Sequence, residues 1–168
     1  KIIRKIMISS IFLAAGQSKR MLGHNKLTKN IKDIPLINHS LKNILSSNID
    51  EIIVVLGYQS EIIKKIIDKN NKIKFVFNAN FETGVSSSIK IGMENLSEKS
   101  DAFFISLADM PMISHLTYNK MIALNNKKKI IVPMFQGKQG NPVLFSKSMK
   151  NQIMSIQGDF GAKKILEI

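Results

Sequence analysis

The stretch that decides the fold is Ile6-Met7-Ile8-Ser9-Ser10-Ile11-Phe12-Leu13-Ala14-Ala15-Gly16-Gln17-Ser18-Lys19-Arg20-Met21. An apolar run rich in isoleucine, Ile6 to Ala15, stops at a glycine and gives way to a polar, cationic loop. Such a run is shorter than the roughly 20 residues that a membrane-spanning helix needs, and it reads as a fully buried strand. Lys1, Arg4 and Lys5 stand before it, as charged residues stand before a secretory signal core. No small-residue cleavage pattern follows, so the strand reading is preferred.

Outward from this strand, helical and extended patterns alternate. Leu36 to Ser47 carries apolar residues at helical spacing, and Glu51 to Leu56 is a β-branched strand stopped by Gly57. Glu61 to Lys69 returns to helical spacing, and Lys74 to Phe77 reads as a strand. Ser86 to Leu96 reads as a helix with Ser86 or Ser87 near its N-cap. Ala102 to Leu107 is an apolar strand, and Ser114 to Leu124 a helix capped by Ser114. Lys129 to Phe135 and Pro142 to Ser146 read as strands, and a last helix runs from Gly161 toward Glu167. This order predicts one α/β domain over residues 1–168, a Rossmann-like three-layer sandwich with a mainly parallel sheet. In such sheets ligands bind beyond the carboxyl ends of the strands, so the loops after strands are where chemistry is expected.

Composition narrows the class. The 168 residues include no cysteine, which excludes a disulfide scaffold, a thiolate metal site and a cysteine nucleophile. With no signal pattern, this points to the cytoplasm. Net charge is +13, but only Arg4 and Arg20 among the 25 basic residues are arginines. Surfaces that read nucleic acid lean on the planar arginine fork, and no basic patch interleaved with aromatics is present. Nucleic-acid binding and membrane association are therefore not expected, although a basic field attracts small polyanions.

Four loops carry candidate chemistry. The first, Leu13-Ala14-Ala15-Gly16-Gln17-Ser18 through Arg20 to Lys26, follows the buried strand directly. Its small residues let a backbone approach a ligand closely, and Arg20 and Lys26 supply positive charge suited to phosphates. A plain polar loop with two surface cations fits the same residues, and neither the P-loop nor the dinucleotide-binding glycine spacing is present. The second, Leu107-Ala108-Asp109-Met110-Pro111, places a carboxylate just past an apolar strand. That spot suits Mg²⁺, which takes one or two carboxylates plus substrate phosphates; a turn aspartate fits equally. The third, Thr83-Gly84-Val85-Ser86-Ser87-Ser88, offers a glycine and hydroxyls at a helix start. The fourth comprises Gly140-Asn141-Pro142, a turn signal, and the later Gly158-Asp159-Phe160-Gly161. His24, His39 and His115 match no zinc spacing; His39 and His115 read as structural or surface residues, and His24 lies in the first loop, lining the site without a special role.

In their order along the chain, Leu13 to Met21 with Asn25-Lys26-Leu27, then Thr83 to Met93, Leu107 to Pro111, Gly140 to Phe145 and Gly158 to Lys163, resemble the molybdenum-cofactor nucleotidyltransferases. These are the cytidylyltransferase and guanylyltransferase that append a nucleotide to molybdopterin. The resemblance runs from Ile11 to Ala162. It implies a fold like that of nucleotide-diphospho-sugar transferases and transfer of CMP from CTP to the phosphate of molybdenum-molybdopterin, with release of pyrophosphate. It further implies nucleotide contacts at Leu13, Ala14, Ala15, Gly16, Gln17, Ser18, Lys26, Gly84, Ser86, Ser87, Ser88 and Asp109. Arg20, Lys26 and Asp109 would be the catalytic residues and Asp109 the Mg²⁺ ligand. Asn141 and Asp159 would face the pterin acceptor. The Ala14-Ala15-Gly16 triplet resembles the CTP-using branch rather than the GTP-using one.

The chain departs from the family pattern at Leu22 and Ala108. It also stops at Ile168, before the family's closing strand and second aspartate ligand. The alternatives are a guanylyltransferase, a sugar- or polyol-phosphate nucleotidyltransferase, and a non-catalytic nucleotide-binding relative. A phosphate nucleophile is already ionised at neutral pH, so none of the enzymatic readings requires a general base.

Overall fold

A computed structural model describes residues 5–18, 24–125 and 129–155. Arg20, Asp159 and the helix expected from Gly161 lie outside the described residues. The described elements are β1 (Ile8–Ala14), β2 (Asn30–Ile31), β3 (Ile34–Pro35), α1 (Leu36–Leu45), β4 (Glu51–Leu56), α2 (Ser60–Ile66) and β5 (Ile73–Phe77). They continue with α3 (Val85–Glu94), β6 (Ala102–Leu107), α4 (His115–Ala123), β7 (Ile130–Ile131), β8 (Met134–Phe135), β9 (Lys138–Gln139), β10 (Val143–Ser146) and α5 (Lys150–Met154).

Six strands form one sheet in the order β5-β4-β1-β6-β10-β7. β1 pairs in parallel with β4 and β6, and β4 in parallel with β5, whereas β10 runs antiparallel to β6 and β7. The Rossmann-like, mainly parallel expectation holds. β1 is central, so both its faces are covered, which is why apolar residues point both ways along it and its two serines, Ser9 and Ser10, are hydrogen-bonded. Ile8, Phe12 and Ala14 join Ile37, Leu41 and Ile44 of α1 and Tyr118 and Met121 of α4 in one core layer. Ile11 and Ala15 join Ile89 and Met93 of α3 and Ile153 of α5 in the other. Each fully buried aliphatic side chain contributes about 1.5–3 kcal/mol to this packing. No helix among the described residues is long and apolar enough to cross a membrane.

Carboxylates tie down the amino edge of the sheet. Asp50 accepts the Ile8 N–H at 3.0 Å and the Lys5 ammonium at 2.7 Å. Asp101 accepts the Met7 N–H at 2.9 Å, and Glu51 accepts the Ser9 hydroxyl at 2.8 Å. Partial burial raises the Asp50 carboxyl, but the hydrogen bonds from Lys5 and Ile8 and the charges of Lys5 and Lys72 outweigh it and hold the group below its ordinary value. In the interior, the Ser10 hydroxyl donates to Ser106 at 3.1 Å. Burial pushes the Tyr118 phenol up to about 12, against a lowering by its hydrogen bond with Ser106.

Two local expectations need correction. Lys129 to Phe135 is not one strand: β7 ends at Ile131, and Pro133, which has no N–H for a ladder, accepts the Gly140 N–H at 2.8 Å and leads into the β8–β9 hairpin. Neither Ser86 nor Ser87 caps α3. Gly84 holds the N-cap position with φ 116° and ψ 170°, a conformation essentially confined to glycine. Ser114 holds the N-cap position of α4, as its sequence position suggests, without a side-chain capping bond.

Candidate functional site

The carboxyl edge of the sheet opens a cavity of about 420 Å³ between the loops that follow β1, β5 and β6. The order of the strands fixes its layout: the loop after β1 lies in the middle, Asp109 follows β6 on one side, and the Phe81–Thr83 turn follows β5 on the other.

The central loop presents Ala15, Gly16, Gln17 and Ser18 to the cavity. A Cβ built on Gly16 would meet nothing within 4 Å, so the fold itself does not demand glycine there. The bare backbone leaves room for a ligand to approach. Ser18 sits in the left-handed region at φ 51°, and its hydroxyl accepts the Lys26 N–H at 3.2 Å. A non-glycine residue in that region stores local strain of the kind that gathers at ligand-binding loops. Lys26 opens the 3₁₀ turn Lys26–Thr28, which Asn25 caps by accepting the Leu27 N–H at 3.1 Å. The capping amide is buried, and its Nδ2 has no hydrogen-bond partner among the described residues.

The Lys26 ammonium pairs with Asp109 Oδ2, with the two side chains 43% and 32% exposed. An acid and a base from residues 83 positions apart therefore meet on one cavity wall. Opposite them, Phe81, Glu82, Thr83, Gly84, Val85 and Ser88 line the other side. Gln17 donates from Nε2 to Glu82 Oε1 at 2.7 Å and bridges the central loop to that side. Asn78, nearly sealed from solvent, donates to Ser87 Oγ at 2.8 Å and Ser88 Oγ at 3.0 Å, fixing the start of α3 against the end of β5.

The structure thus brings Leu13, Ala15, Gly16, Gln17, Ser18, Lys26, Gly84, Ser88 and Asp109 together on one cavity. It places Ala14, 1% exposed, in the core behind the loop. Ser86 is buried on the inner face of α3, and the Ser87 hydroxyl donates to Asn80 and Gly84 carbonyls; neither lines the cavity. Asn141 sits just before β10, whose antiparallel register with β6 puts it at the same carboxyl edge, outside the cavity lining. Thr83, part of the third motif, lines the cavity too; Phe81 and Glu82 were not singled out by sequence, although the rule that ligands lie beyond strand ends points to the loop after β5.

The residues suit a divalent cation held chiefly by a ligand's phosphates. Asp109 offers one carboxylate at the cavity wall, and among the described residues no group of three or more His, Cys, Asp or Glu could hold a metal ion without such help. Mg²⁺ typically takes one or two carboxylates and completes its shell with phosphate oxygens and water.

Fold and cavity together define a doubly wound α/β domain with its cavity at the carboxyl edge of the sheet, where domains of this class bind their ligands. Within that class, the chain belongs to the MobA-like NTP transferase domain family, whose model matches residues 10–167. It is similar to the purine catabolism protein PucB of Bacillus subtilis, 30% identical over 174 residues that cover 98% of this chain and 83% of PucB. It is also similar to the bifunctional protein GlmU of Staphylococcus epidermidis, 22% identical over 143 residues, covering 84% of this chain and 31% of GlmU. The chain therefore spans about a third of the length of that relative. Among solved structures, Rv0371c from Mycobacterium tuberculosis H37Rv matches with a TM-score of 0.87 at 21% identity, covering 97% of this chain and 83% of that one. The manganese complex of Rv0371c matches with a TM-score of 0.81 at 18% identity, covering 98% and 83%. At these identities the two crystal structures bear on the fold alone.

Proposed function

We propose that this domain transfers CMP from CTP to the phosphate of molybdenum-molybdopterin and releases pyrophosphate. The observation that carries the reading is the meeting of Lys26 and Asp109 beside the bare backbone of Gly16, at the edge where this family's fold takes its ligand. The cytidylyl branch and the pterin acceptor are supported by the sequence resemblance, in particular Ala14-Ala15-Gly16 and Gly140 to Phe145.

In this reading the α-phosphorus of CTP lies over Gly16 to Ser18, and the acceptor phosphate oxygen attacks in line with the leaving pyrophosphate. Lys26 leaves Asp109 to hold the triphosphate, and its charge stabilises the leaving group. Arg20, in the same loop by sequence, adds a second cation there. Asp109 holds Mg²⁺, which when bound neutralises phosphate charge as a Lewis acid. By the resemblance, Asn141 and Asp159 would contact the acceptor. The acceptor is already ionised, so the chain supplies position and charge rather than a base.

The test is pyrophosphate release from CTP with molybdenum-molybdopterin and Mg²⁺. Release from CTP that falls by two orders of magnitude or more in Asp109→Ala supports the reading. Release from GTP in place of CTP assigns the guanylyl branch, and undiminished turnover in Asp109→Ala removes Asp109 from the mechanism.

A further inference from the structure

The described cavity lining carries one lysine and two carboxylates. Asp109 is matched by Lys26, while Glu82 has no cationic partner among the described residues and is held instead by the neutral Gln17 amide. An ionised carboxylate accepts hydrogen bonds and donates none, and it repels phosphate. In a cavity for a nucleoside triphosphate it therefore has to meet a donor on the uncharged part of the ligand. The sheet order puts Glu82 on the far side of the central loop from Lys26 and Asp109. A nucleotide with its phosphates at Lys26 places its base and sugar toward Glu82, beside the apolar walls of Phe81 and Val85.

We infer that Glu82, positioned by Gln17, selects the nucleobase by accepting a hydrogen bond from an exocyclic amino group. The inference rests on the nucleotidyltransferase reading and adds to it the group that discriminates among nucleotides. Gln17 donates to Glu82 Oε1 at 2.7 Å, which holds the carboxylate at the cavity wall and leaves it acceptor capacity for a ligand. Cytosine presents an amino group where uracil, otherwise isosteric, presents a carbonyl oxygen. Uracil sets two acceptors against each other, and a site built to bond a donor rejects the analogue lacking it. Glu82 is exposed at the surface of a 3₁₀ turn and buries no apolar group in the core, so its replacement leaves the fold intact.

The experiment is calorimetric titration of the protein with CTP and with UTP in the presence of Mg²⁺, repeated for Glu82→Gln and Gln17→Leu. The wild type is expected to bind CTP at least about tenfold tighter than UTP. In Glu82→Gln the side-chain amide can donate to a carbonyl, and the CTP-to-UTP ratio narrows to near one or reverses. Gln17→Leu, which frees the carboxylate to turn, narrows the same ratio while the melting temperature holds. Equal wild-type affinity for CTP and UTP overturns the inference. So does a Glu82→Gln variant that weakens both nucleotides by one factor, the signature of a ribose hydroxyl contact, or that changes neither. A wild type that binds no nucleotide overturns the inference together with the nucleotidyltransferase reading, whereas the other adverse results leave that reading standing.

Discussion

Replacing Gly92 by alanine tests how the helix that carries part of the cavity wall is seated on the sheet. Gly92 lies in α3 against β1, and a Cβ built there would stand 2.3 Å from Ile11 Cγ2 and 3.2 Å from Ile11 Cγ1. Ordinary carbon contact begins near 3.4 Å, so the new methyl is short by about 1 Å. Ile11 is fully buried on the central strand, hydrogen-bonded between β4 and β6, and cannot retreat without moving the sheet. Overpacking of this kind costs about 1–3 kcal/mol. The shortfall argues for the upper end, while alanine's better helix propensity returns about 1 kcal/mol. The expected net loss is about 1–2 kcal/mol, seen as a fall in melting temperature of roughly 2–8 °C for a chain of this size. Ser88 lies one turn earlier on the same buried face and lines the cavity, so CTP binding should weaken in parallel. Thermal and urea melts of Gly92→Ala, Ile11→Ala and the double variant check this. The double variant should lose about 1–3 kcal/mol less than the two single losses combined, because removing Cγ2 makes room for the methyl. A melting temperature that holds or rises in Gly92→Ala, or strict additivity in the double variant, would refute the close packing of α3 on β1.

Lys26→Met should change stability by no more than about 1 kcal/mol, since its ion pair with Asp109 is partly exposed, yet weaken CTP binding about 10- to 100-fold; a large stability loss with unchanged binding in calorimetry would make Lys26 structural. Tyr118 has a folded value of about 12 against 10.0 when unfolded, so the folded state loses stability as pH rises through that window, by about 2–3 kcal/mol in all. Tyr118→Phe should flatten that part of the alkaline unfolding curve measured by circular dichroism, and identical curves would count against the assignment. Asp50 is held below its ordinary value of 3.8, so its stabilisation is present above that value and fades as pH falls further. Asp50→Asn should be destabilised at neutral pH, with the gap to wild type closing in acid; a constant gap between pH 7 and pH 2 would show that its charge plays no part.

The fold was legible because its deciding features are local. A strand buried on both faces needs apolar residues pointing both ways, and β1, β4 and β6 are each mostly apolar, with the serines of β1 and β6 hydrogen-bonded inside. The start of α3 was misread for an equally physical reason. A run of three serines advertises N-capping, but here Asn78, the residue just after β5, takes up the Ser87 and Ser88 hydroxyls once β5 and α3 pack together, and Gly84 is left at the cap. Pro133 could have split the strand expected from Lys129 to Phe135, since a residue with no N–H cannot donate to a ladder, and the pairing of β7 with β10 stops at Ile131. The Lys26–Asp109 contact was half legible: each residue stood out as a site candidate, but their pairing needs the loop after β1 to fold back over the end of β6.

The acidic residues show which part of a site one sequence can carry. Asp50, Glu51 and Asp101 stand at or just before the starts of β4 and β6, and the structure uses them as braces for the amino end of β1. Asp109 and Glu82 stand after β6 and β5 and line the cavity. The residue types are the same; what differs is the side of a buried strand on which each falls. A carboxylate ahead of a parallel strand meets the backbone N–H groups and cations of its neighbours at the amino edge, where the chain closes on itself. A carboxylate after such a strand meets the loops that leave the sheet, where a ligand can enter. That ordering is written in the sequence and would have placed Glu82 beside Asp109 as a candidate. The Gln17 bond that orients it is not written there, because Gln17 and Glu82, 65 positions apart, become neighbours only when β5 and β1 take their places in one sheet.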